Sequence, residues 1–291
     1  MTFSPLRIVF AGTSNFAVPS LKALLQDPAF HVVSVITQPD RPTGRKQELT
    51  PPPVKVVAEQ FHLHTLQPEK IKKEFASMNV PEHDFLVVVS YGQLLSQEIL
   101  DAPTIAPVNV HASLLPRWRG ASPLQHTILA GDRESGVTIQ RMALELDAGP
   151  ILGQESVTLD ARETFTTLHD KLAVVGASLL VRTLKAPLTP TEQDPAGITL
   201  CGKLSRESGV ADASTMTAEE IDRKVRGLTP WPGVTITVDG QPLKLWETAL
   251  EQTTDSAPLP CADGTTLHLV SVQPASKKPM TGAAWARGRR A

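Results

Sequence analysis

The sequence lacks features of secreted, membrane-spanning and disulfide-bonded proteins. Its 291 residues include only two cysteines, Cys201 and Cys261, which are far apart and outside any Cys-x-x-Cys or metal-ligand spacing. Free thiols in a reducing compartment are therefore expected. No apolar run is long enough to cross a bilayer, and the N-terminus lacks the apolar stretch and cleavage site of a secretory signal. These absences predict a cytoplasmic protein.

Several common catalytic motifs are also missing. The segment Ala11-Gly12-Thr13-Ser14-Asn15-Phe16 has a single glycine, which disfavours a dinucleotide-binding reductase. No Walker A, Gly-x-Ser-x-Gly or His-Glu-x-x-His sequence occurs, which disfavours the usual NTPases, serine hydrolases and zinc proteases. His62 and His64 have the spacing of a metal-binding pair, but no acidic or cysteine cluster lies near them in sequence. We therefore expect no metal site.

The chain has no excess of positive charge. Its 28 lysines and arginines and 30 acidic residues give a net charge of −2, so a nucleic-acid partner would need a local concentration of cations. Two segments provide one, namely the stretch with Arg41, Arg45 and Lys46 and a C-terminal tail with Lys277, Lys278, Arg287, Arg289 and Arg290. A solvated loop and a solvated tail are the alternative interpretations.

The N-terminal part alternates between strand-like and helix-like patterns. Short apolar runs predict strands over 7–12, 31–37, 84–90, 108–111, 136–142 and 151–159. Helical patterns are found near 16–25, 54–60, 68–78, 122–130 and 163–184. This order predicts an α/β fold with a doubly wound, mainly parallel, Rossmann-like sheet. Ligands of such sheets bind at the carboxyl ends of the strands.

A proline-rich stretch follows the last of these helices. Pro187, Pro190 and Pro195 disfavour helix, so we predict a linker over 186–200 between a catalytic domain of 1–185 and a smaller domain of 201–291. In the smaller domain, a capping box from Thr217 to Glu220 predicts a helix ending near Gly227. Short β-type segments follow at 234–238, 243–249 and 266–272, with Asp239-Gly240 as a hairpin turn.

The run from Val108 to Gly120 contains the most informative residues. Asn109 and His111 are two positions apart on a strand, so their side chains share one face. An amide donor can hold a developing oxyanion and an imidazole can move protons, which is the chemistry of acyl transfer. Asp147, in a Gly/Pro-rich loop, supplies a carboxylate. Without further context, a satisfied strand-end histidine beside a turn asparagine is the simpler interpretation.

That context comes from a family resemblance. The stretch from Asn109 to Ala121, followed by Leu146-Asp147-Ala148-Gly149-Pro150, resembles the signature of folate-dependent formyltransferases. Phe10-Ala11-Gly12-Thr13, the segment 37–55 and Trp231-Pro232-Gly233 resemble the methionyl-tRNA branch of this family. The resemblance extends over nearly the whole chain.

The resemblance implies an activity and roles for three residues. The formyl group of 10-formyltetrahydrofolate would be transferred to the α-amino group of methionyl initiator tRNA, for translation initiation, without a metal. Asn109 would donate to the oxyanion, and protonated His111 would stabilise it and return a proton to the folate nitrogen. Asp147 would orient His111 and help to remove the proton of the amine. No obligate protein partner is evident.

The resemblance also implies binding sites. A folate pocket would be formed by Ser113, Leu114, Leu115, Pro116, Tyr91 and Gly92. The polar stretch at 38–46 would enter the acceptor arm of tRNA, with Arg45 as the family's principal contact and Arg41 and Lys46 beside it. The second domain would be a tRNA-binding, OB-like barrel. Because the stretch between Thr248 and Gly264 is short, one or two strands of that barrel are expected to be missing.

Three alternative functions stay open at this point. A formyltransferase that acts on a small amine would use the same three residues. The chains of such enzymes typically stop near the end of the catalytic domain, so the second domain and the 38–46 stretch disfavour this alternative. A folate-dependent hydrolase would use water as the acceptor, and only the tRNA-type motifs disfavour it. A non-catalytic tRNA-binding protein on the same scaffold is disfavoured by the intact set of Asn109, His111 and Asp147.

Overall fold

The chain divides into two compact units, each built from segments that are distant in sequence. A computed structural model describes residues 4–44 and 46–289. The first unit contains residues up to 120 together with 135–157 and 169–200. The second contains 121–134, 158–168 and the chain from 201 onward. Two segments of the sequence-predicted catalytic domain therefore fall in the second unit, and the predicted linker of 186–200 falls in the first.

The described residues form the following strands and α-helices. The strands are β1 (Leu6–Gly12), β2 (Phe30–Ile36), β3 (Arg41–Thr43), β4 (Glu48–Thr50), β5 (Thr65–Leu66), β6 (Phe85–Val89), β7 (Ala106–His111), β8 (Arg119–Gly120), β9 (Glu134–Arg141), β10 (Ile151–Thr158), β11 (Leu200–Cys201), β12 (Val234–Val238), β13 (Gln241–Ala249), β14 (Ala257–Pro260), β15 (Thr266–Pro274) and β16 (Met280–Thr281). The helices are α1 (Val18–Gln26), α2 (Pro53–Gln60), α3 (Ile71–Glu74), α4 (Gln97–Leu100), α5 (Pro123–Ala130), α6 (Phe165–Lys185), α7 (Ala218–Leu228) and α8 (Gly282–Arg287). None of these helices is long and apolar enough to cross a membrane.

The first unit is built on a seven-stranded sheet with the order β10-β9-β7-β6-β1-β2-β5. The pairs β1–β2, β1–β6, β6–β7 and β2–β5 are parallel, whereas β9 runs antiparallel to β7. The predicted α/β class and mainly parallel sheet are confirmed. Every residue of β6 is buried, as expected for a central strand covered on both faces.

The carboxyl ends of the central strands meet at one edge of this sheet. Gly12 of β1 pairs with Val89 of β6, and Val88 pairs with Asn109 of β7. The residues that follow are tied together, since the hydroxyl of Thr13 donates to the backbone carbonyl of Tyr91 at 2.8 Å. Asn109 and His111 therefore reach the edge at which parallel α/β sheets bind their ligands.

The proline-rich stretch ends α6 as predicted but does not behave as a free linker. Thr191 and Ile151 exchange two backbone hydrogen bonds of 2.9 and 2.8 Å, which adds the stretch to the edge of β10. Prolines exclude helix without preventing an extended chain from pairing at neighbouring positions. The segment is consequently an ordered part of the first unit.

The second unit contains a five-stranded antiparallel sheet covered by α7. The strand order is β12-β13-β15-β14, with β16 paired to β15. The predicted Asp239-Gly240 turn is confirmed, because Val238 pairs with Gln241 and both turn residues have positive φ. The predicted capping box of α7 is also confirmed, with reciprocal bonds between Thr217 and Glu220.

The short stretch between Thr248 and Gly264 is not empty of strand structure. It contains β14, in which Ala257 pairs with Leu269 and Leu259 pairs with Leu267. The short stretch therefore still supplies one strand to the sheet. Within the described residues β12 and β14 are the two ends of the hydrogen-bonded order, so the sheet is an open half-barrel.

The polar stretch at 38–46 includes the first strand of a hairpin. Strands β3 and β4 pair antiparallel through Arg41↔Thr50 and Thr43↔Glu48, and every described residue between them is exposed. At the base, Lys55 donates to Asp40 at 2.8 Å. A side-chain amide hydrogen bond from Gln67, followed by the Lys55 ammonium, holds the pKa of Asp40 below its usual value. The hairpin thus projects from an anchored base.

Candidate active site

Strands β7 and β9 place the predicted pair of site residues next to two further polar side chains. In the antiparallel register, Asn109 lies opposite Gln140 and His111 lies opposite Thr138. Residues directly opposite one another present their side chains on the same face of a sheet. The alternation predicted from the sequence therefore places Asn109, His111 and Gln140 on one face.

His111 is buried and has a hydrogen-bond acceptor near each ring nitrogen. Its Nε2 atom lies 2.9 Å from the carbonyl oxygen of Trp118, and its Nδ1 atom lies 3.6 Å from Oδ1 of Asp147. The side chains of His111 and Asp147 are only 7% and 9% exposed. An imidazolium can face two acceptors with N–H groups, whereas a neutral ring has only one. The arrangement therefore suits a histidine that carries or passes on a proton.

The carboxylate of Asp147 is held by donors from two directions. Oδ2 accepts the backbone N–H of Gly120 at 2.8 Å, and Oδ1 accepts the side-chain amide of Gln140 at 3.0 Å. Asp147 itself has a φ of 53°, which is uncommon for a residue with a side chain. Nearby, a Cβ at Gly149 would lie 1.8 Å from the carbonyl oxygen of Arg141, so this position of the loop requires glycine.

Gln140 is a site residue that the sequence did not reveal. It is 2% exposed, and its Oε1 atom is buried without a hydrogen-bond partner among the described residues. Its amide group links Asp147 to the face that carries Asn109. The sequence does not indicate that Gln140 lies beside Asn109, because the two residues are far apart in the chain. The register between β7 and β9 brings them together.

A cavity of about 140 Å³ opens beside Asp147 in the first unit. Two chain segments form most of its wall, Gln93–Leu95 after β6 and Met142–Asp147 after β9. Leu94, Leu144 and Leu146 are 65%, 64% and 55% exposed at this wall. Apolar side chains beside a few polar groups are typical of a pocket for a small organic ligand.

The residues predicted for the folate pocket do not line this cavity. Tyr91 is 2% exposed, and burial raises the pKa of its phenol well above the usual value. Ser113 is also buried and donates to the carbonyl oxygen of Arg117 at 2.6 Å. Leu115 donates its backbone N–H to Thr138 at 3.0 Å, and Leu114 and Pro116 are partly buried beside it. Gly92 precedes the lining residues and has a φ of 88°.

Of the predicted tRNA contacts, two lie within the described residues. Arg41 pairs with Glu69 at 2.6 Å and is more than half exposed, and Lys46 is exposed. Arg45 lies outside the described residues. In the tail, Lys277, Lys278 and Arg287 are exposed, whereas Arg289 pairs with Asp239 and stacks over Trp285. Arg290 also lies outside the described residues.

Protein-family models cover both units of the chain. A model described as "Formyl transferase" matches residues 6–184, and one described as "Formyl transferase, C-terminal domain" matches residues 203–290. The methionyl-tRNA formyltransferase of Bacillus subtilis is 40% identical over 97% of this chain and 94% of its own length. That of Magnetococcus marinus is 42% identical over 97% of this chain and 95% of its own length.

Solved structures show the same fold at low sequence identity. The N-formyltransferase from Helicobacter canadensis, solved with folinic acid and dTDP-3-aminofucose, has a TM-score of 0.68 at 17% identity, over 92% of this chain and 99% of its own. HypX from Aquifex aeolicus, solved with tetrahydrofolic acid, has a TM-score of 0.66 at 14% identity, and this chain spans 47% of it. With two matching family models and relatives at about 40% identity over nearly its full length, the chain belongs to the formyltransferase family.

Proposed function

We propose that the protein transfers the formyl group of 10-formyltetrahydrofolate to the α-amino group of methionine on initiator tRNA. The relatives that match 97% of the chain are methionyl-tRNA formyltransferases. The observation that carries the proposal is the site itself, in which Asn109 and His111 share one face of the sheet, Asp147 faces His111, and a cavity opens beside Asp147. Incubation with a labelled formyl donor and charged initiator tRNA tests it through the appearance of formylmethionine.

The side chains divide the chemistry among them. The amine nitrogen attacks the formyl carbon, and the Asn109 carboxamide donates to the oxygen that becomes negative. His111, held between Trp118 and Asp147, gives a proton to N10 of the folate as the bond from that nitrogen to the formyl carbon breaks. Asp147 accepts the proton that the amine loses, directly or through water, and restores the proton of His111. One proton leaves the amine and one reaches N10, so the transfer balances.

The apolar cavity beside Asp147 is the proposed site of the folate. Its leucines offer surface to the flat ring system, and the side-chain amides of Gln93 and Gln140 offer polar partners. Because Asp147 and Gln140 line the cavity and Gln140 lies opposite Asn109, we place the formyl group of a bound donor near Asn109. The buried residues Ser113, Leu115 and Tyr91 would shape the pocket through the backbone that they anchor.

Replacing Asn109 with alanine is expected to lower kcat by about 100- to 1,000-fold, the usual cost of removing an oxyanion donor. Asn109 is partly exposed, and no hydrogen bond among the described residues uses its carboxamide. The substitution should therefore leave the melting temperature nearly unchanged. Rapid-quench measurement of formyl transfer gives the rate constant of the chemical step. A variant that keeps more than half of the wild-type rate would contradict the role of Asn109.

Replacing Arg45 with alanine is expected to raise the KM for charged tRNA by about tenfold while the KM for the folate stays unchanged, because a phosphate contact acts on the tRNA alone. Lys22, an exposed lysine on α1, provides a control that removes the same charge elsewhere on the first unit. Lys22→Ala should leave both constants unchanged. A shift in the folate constant alone for Arg45→Ala would disprove the assignment of this loop.

A further inference from the structure

We propose that residues 191–199, which lie within the predicted linker of 186–200, position the catalytic groups, chiefly through Gln193 and Thr199. The inference rests on the proposed function for its kinetic test. It concerns residues that touch neither the formyl group nor the amine in that reaction. Both are positioning residues, since each one holds a group that faces His111.

Gln193 holds the loop that carries Asp147. Its side-chain amide donates to two backbone carbonyls, that of Asp147 at 2.8 Å and that of Gly149 at 2.7 Å. Its own oxygen accepts from Nε of Arg119 at 3.0 Å. Gln193 is 7% exposed and Arg119 is 8% exposed, so these hydrogen bonds are shielded from water. The Gln193 amide nitrogen thus holds the loop at two carbonyls, and the Gln193 oxygen is held in turn by Arg119.

Thr199 holds the second group that faces His111. Its hydroxyl accepts the backbone N–H of Trp118 at 2.8 Å, and its backbone N–H donates to the carbonyl of Pro116. Its carbonyl accepts the N–H of Arg119 at 2.9 Å. Trp118 is the residue whose carbonyl faces Nε2 of His111. One segment therefore contacts the chain on both sides of the imidazole, at Asp147 and at Trp118.

The backbone at both contacts needs such support. Asp147 has a φ of 53° and Trp118 has a φ of 61°, and residues with side chains adopt this region only when surrounding contacts hold them there. Without Gln193 or Thr199, each backbone would be free to relax. Asp147 would then move away from Nδ1 of His111, and the Trp118 carbonyl would move away from Nε2.

The alternative is that the segment only stabilises the fold, and a matched control separates the two. Asp84 precedes β6 at the opposite, amino-terminal end of the sheet. Its carboxylate joins two segments by accepting the N–H of Arg7 at 2.7 Å and the hydroxyl of Thr104 at 2.9 Å. Asp84→Ala therefore removes two hydrogen bonds of similar kind without touching the site.

The test compares Gln193→Ala, Thr199→Val and Asp84→Ala in the full-length protein. At saturating concentrations of both substrates, we expect kcat to fall by about 10- to 100-fold in the first two variants, the scale of a misplaced catalytic group. Asp84→Ala should lower the melting temperature similarly and keep kcat within about twofold. Equal losses of kcat in all three variants, or a folded Gln193→Ala protein with wild-type kcat, would overturn the proposal.

A double variant tests whether Gln193 acts through Asp147. If it does, adding Gln193→Ala to Asp147→Asn should lower the remaining rate by no more than about threefold, because coupled residues do not act additively. A further loss as large as that in the wild-type background would overturn this route.

Hydrogen exchange gives a readout that does not depend on activity. The backbone amides of residues 143–149 should exchange at least about tenfold faster in Gln193→Ala than in the wild type. Their exchange rates should be unchanged in Asp84→Ala. This result would stand even if methionyl-tRNA proved not to be the acceptor, in which case only the proposed function would fail. Unaltered exchange in Gln193→Ala would overturn the positioning role.

Discussion

Replacing Asp147 with asparagine is expected to lower kcat by about 100- to 10,000-fold, the range over which a positioned acid or base contributes to catalysis. The substitution keeps the shape but removes the negative charge 3.6 Å from Nδ1 of His111. Both carboxylate oxygens of Asp147 accept N–H groups. In asparagine one of these oxygens is replaced by an NH2 group, which would face an N–H donor in place of an acceptor. We therefore expect a small loss of stability beside the large loss of rate, as measured by rapid quench and thermal unfolding.

Asp27 provides the matched control for this experiment. Its carboxylate also accepts a backbone N–H, from Ala29 at 3.0 Å, and pairs with a cation, Lys185 at 2.8 Å. The hydrogen bond from Lys185 and that from Ala29 hold the pKa of Asp27 below its usual value, yet the residue lies at the amino end of β2, away from the site. Asp27→Asn should leave kcat unchanged. A folded Asp147→Asn protein with near wild-type turnover would rule out the proposed proton pathway.

Replacing Asp222 with alanine is expected to lower the free energy of unfolding of the second unit by about 3–5 kcal/mol, the cost of breaking a buried ion pair. Asp222 is fully buried in α7. It accepts from Nη1 of Arg162 at 2.7 Å, Nε of Arg226 at 2.8 Å and the hydroxyl of Thr248 at 2.8 Å. Alanine would leave two guanidinium groups and a buried hydroxyl without this acceptor.

Tryptophan fluorescence during urea denaturation measures this effect selectively. Three of the four tryptophans, at positions 231, 246 and 285, lie in the second unit. Asp212 is the control, an exposed carboxylate in the same unit that accepts two hydrogen bonds from Ser214. Asp212→Ala should cost about 1 kcal/mol or less. Equal costs for the two variants would show that the buried network adds nothing to stability.

Features set by local sequence could be predicted in detail. The Asn109-x-His111 spacing fixes the shared face because side chains alternate along a strand. The capping box at Thr217 and the turn at Asp239-Gly240 depend on residues within four positions of one another. The mainly parallel sheet follows from the order of apolar runs and helical stretches. Each of these signals is contained in a short stretch of chain.

Features set by contacts between distant residues could not be predicted. The roles of Gln140 and Gln193 depend on hydrogen bonds to the loop that carries Asp147, and no local pattern of the sequence indicates these bonds. The prolines near Gln193 correctly disfavour α-helix, and a single 3-10 turn forms at Pro195–Gly197, but they say nothing about which backbone carbonyls the segment contacts. The ring of Tyr91 is buried, and residues 93–95 of the same stretch line the cavity. Burial of a particular side chain depends on tertiary packing.

The acceptor specificity tests the central claim most directly. Labelled 10-formyltetrahydrofolate is incubated with the protein and, in parallel, with charged initiator tRNA, methionine amide or buffer alone, and label is followed into formylmethionine and formate. We expect kcat/KM for the charged tRNA to exceed that for methionine amide by at least about 1,000-fold, because contacts remote from the amine contribute to transition-state binding. Little formate should appear without an amine. Equal use of methionine amide, or release of formate at the same rate in buffer alone, would contradict the account.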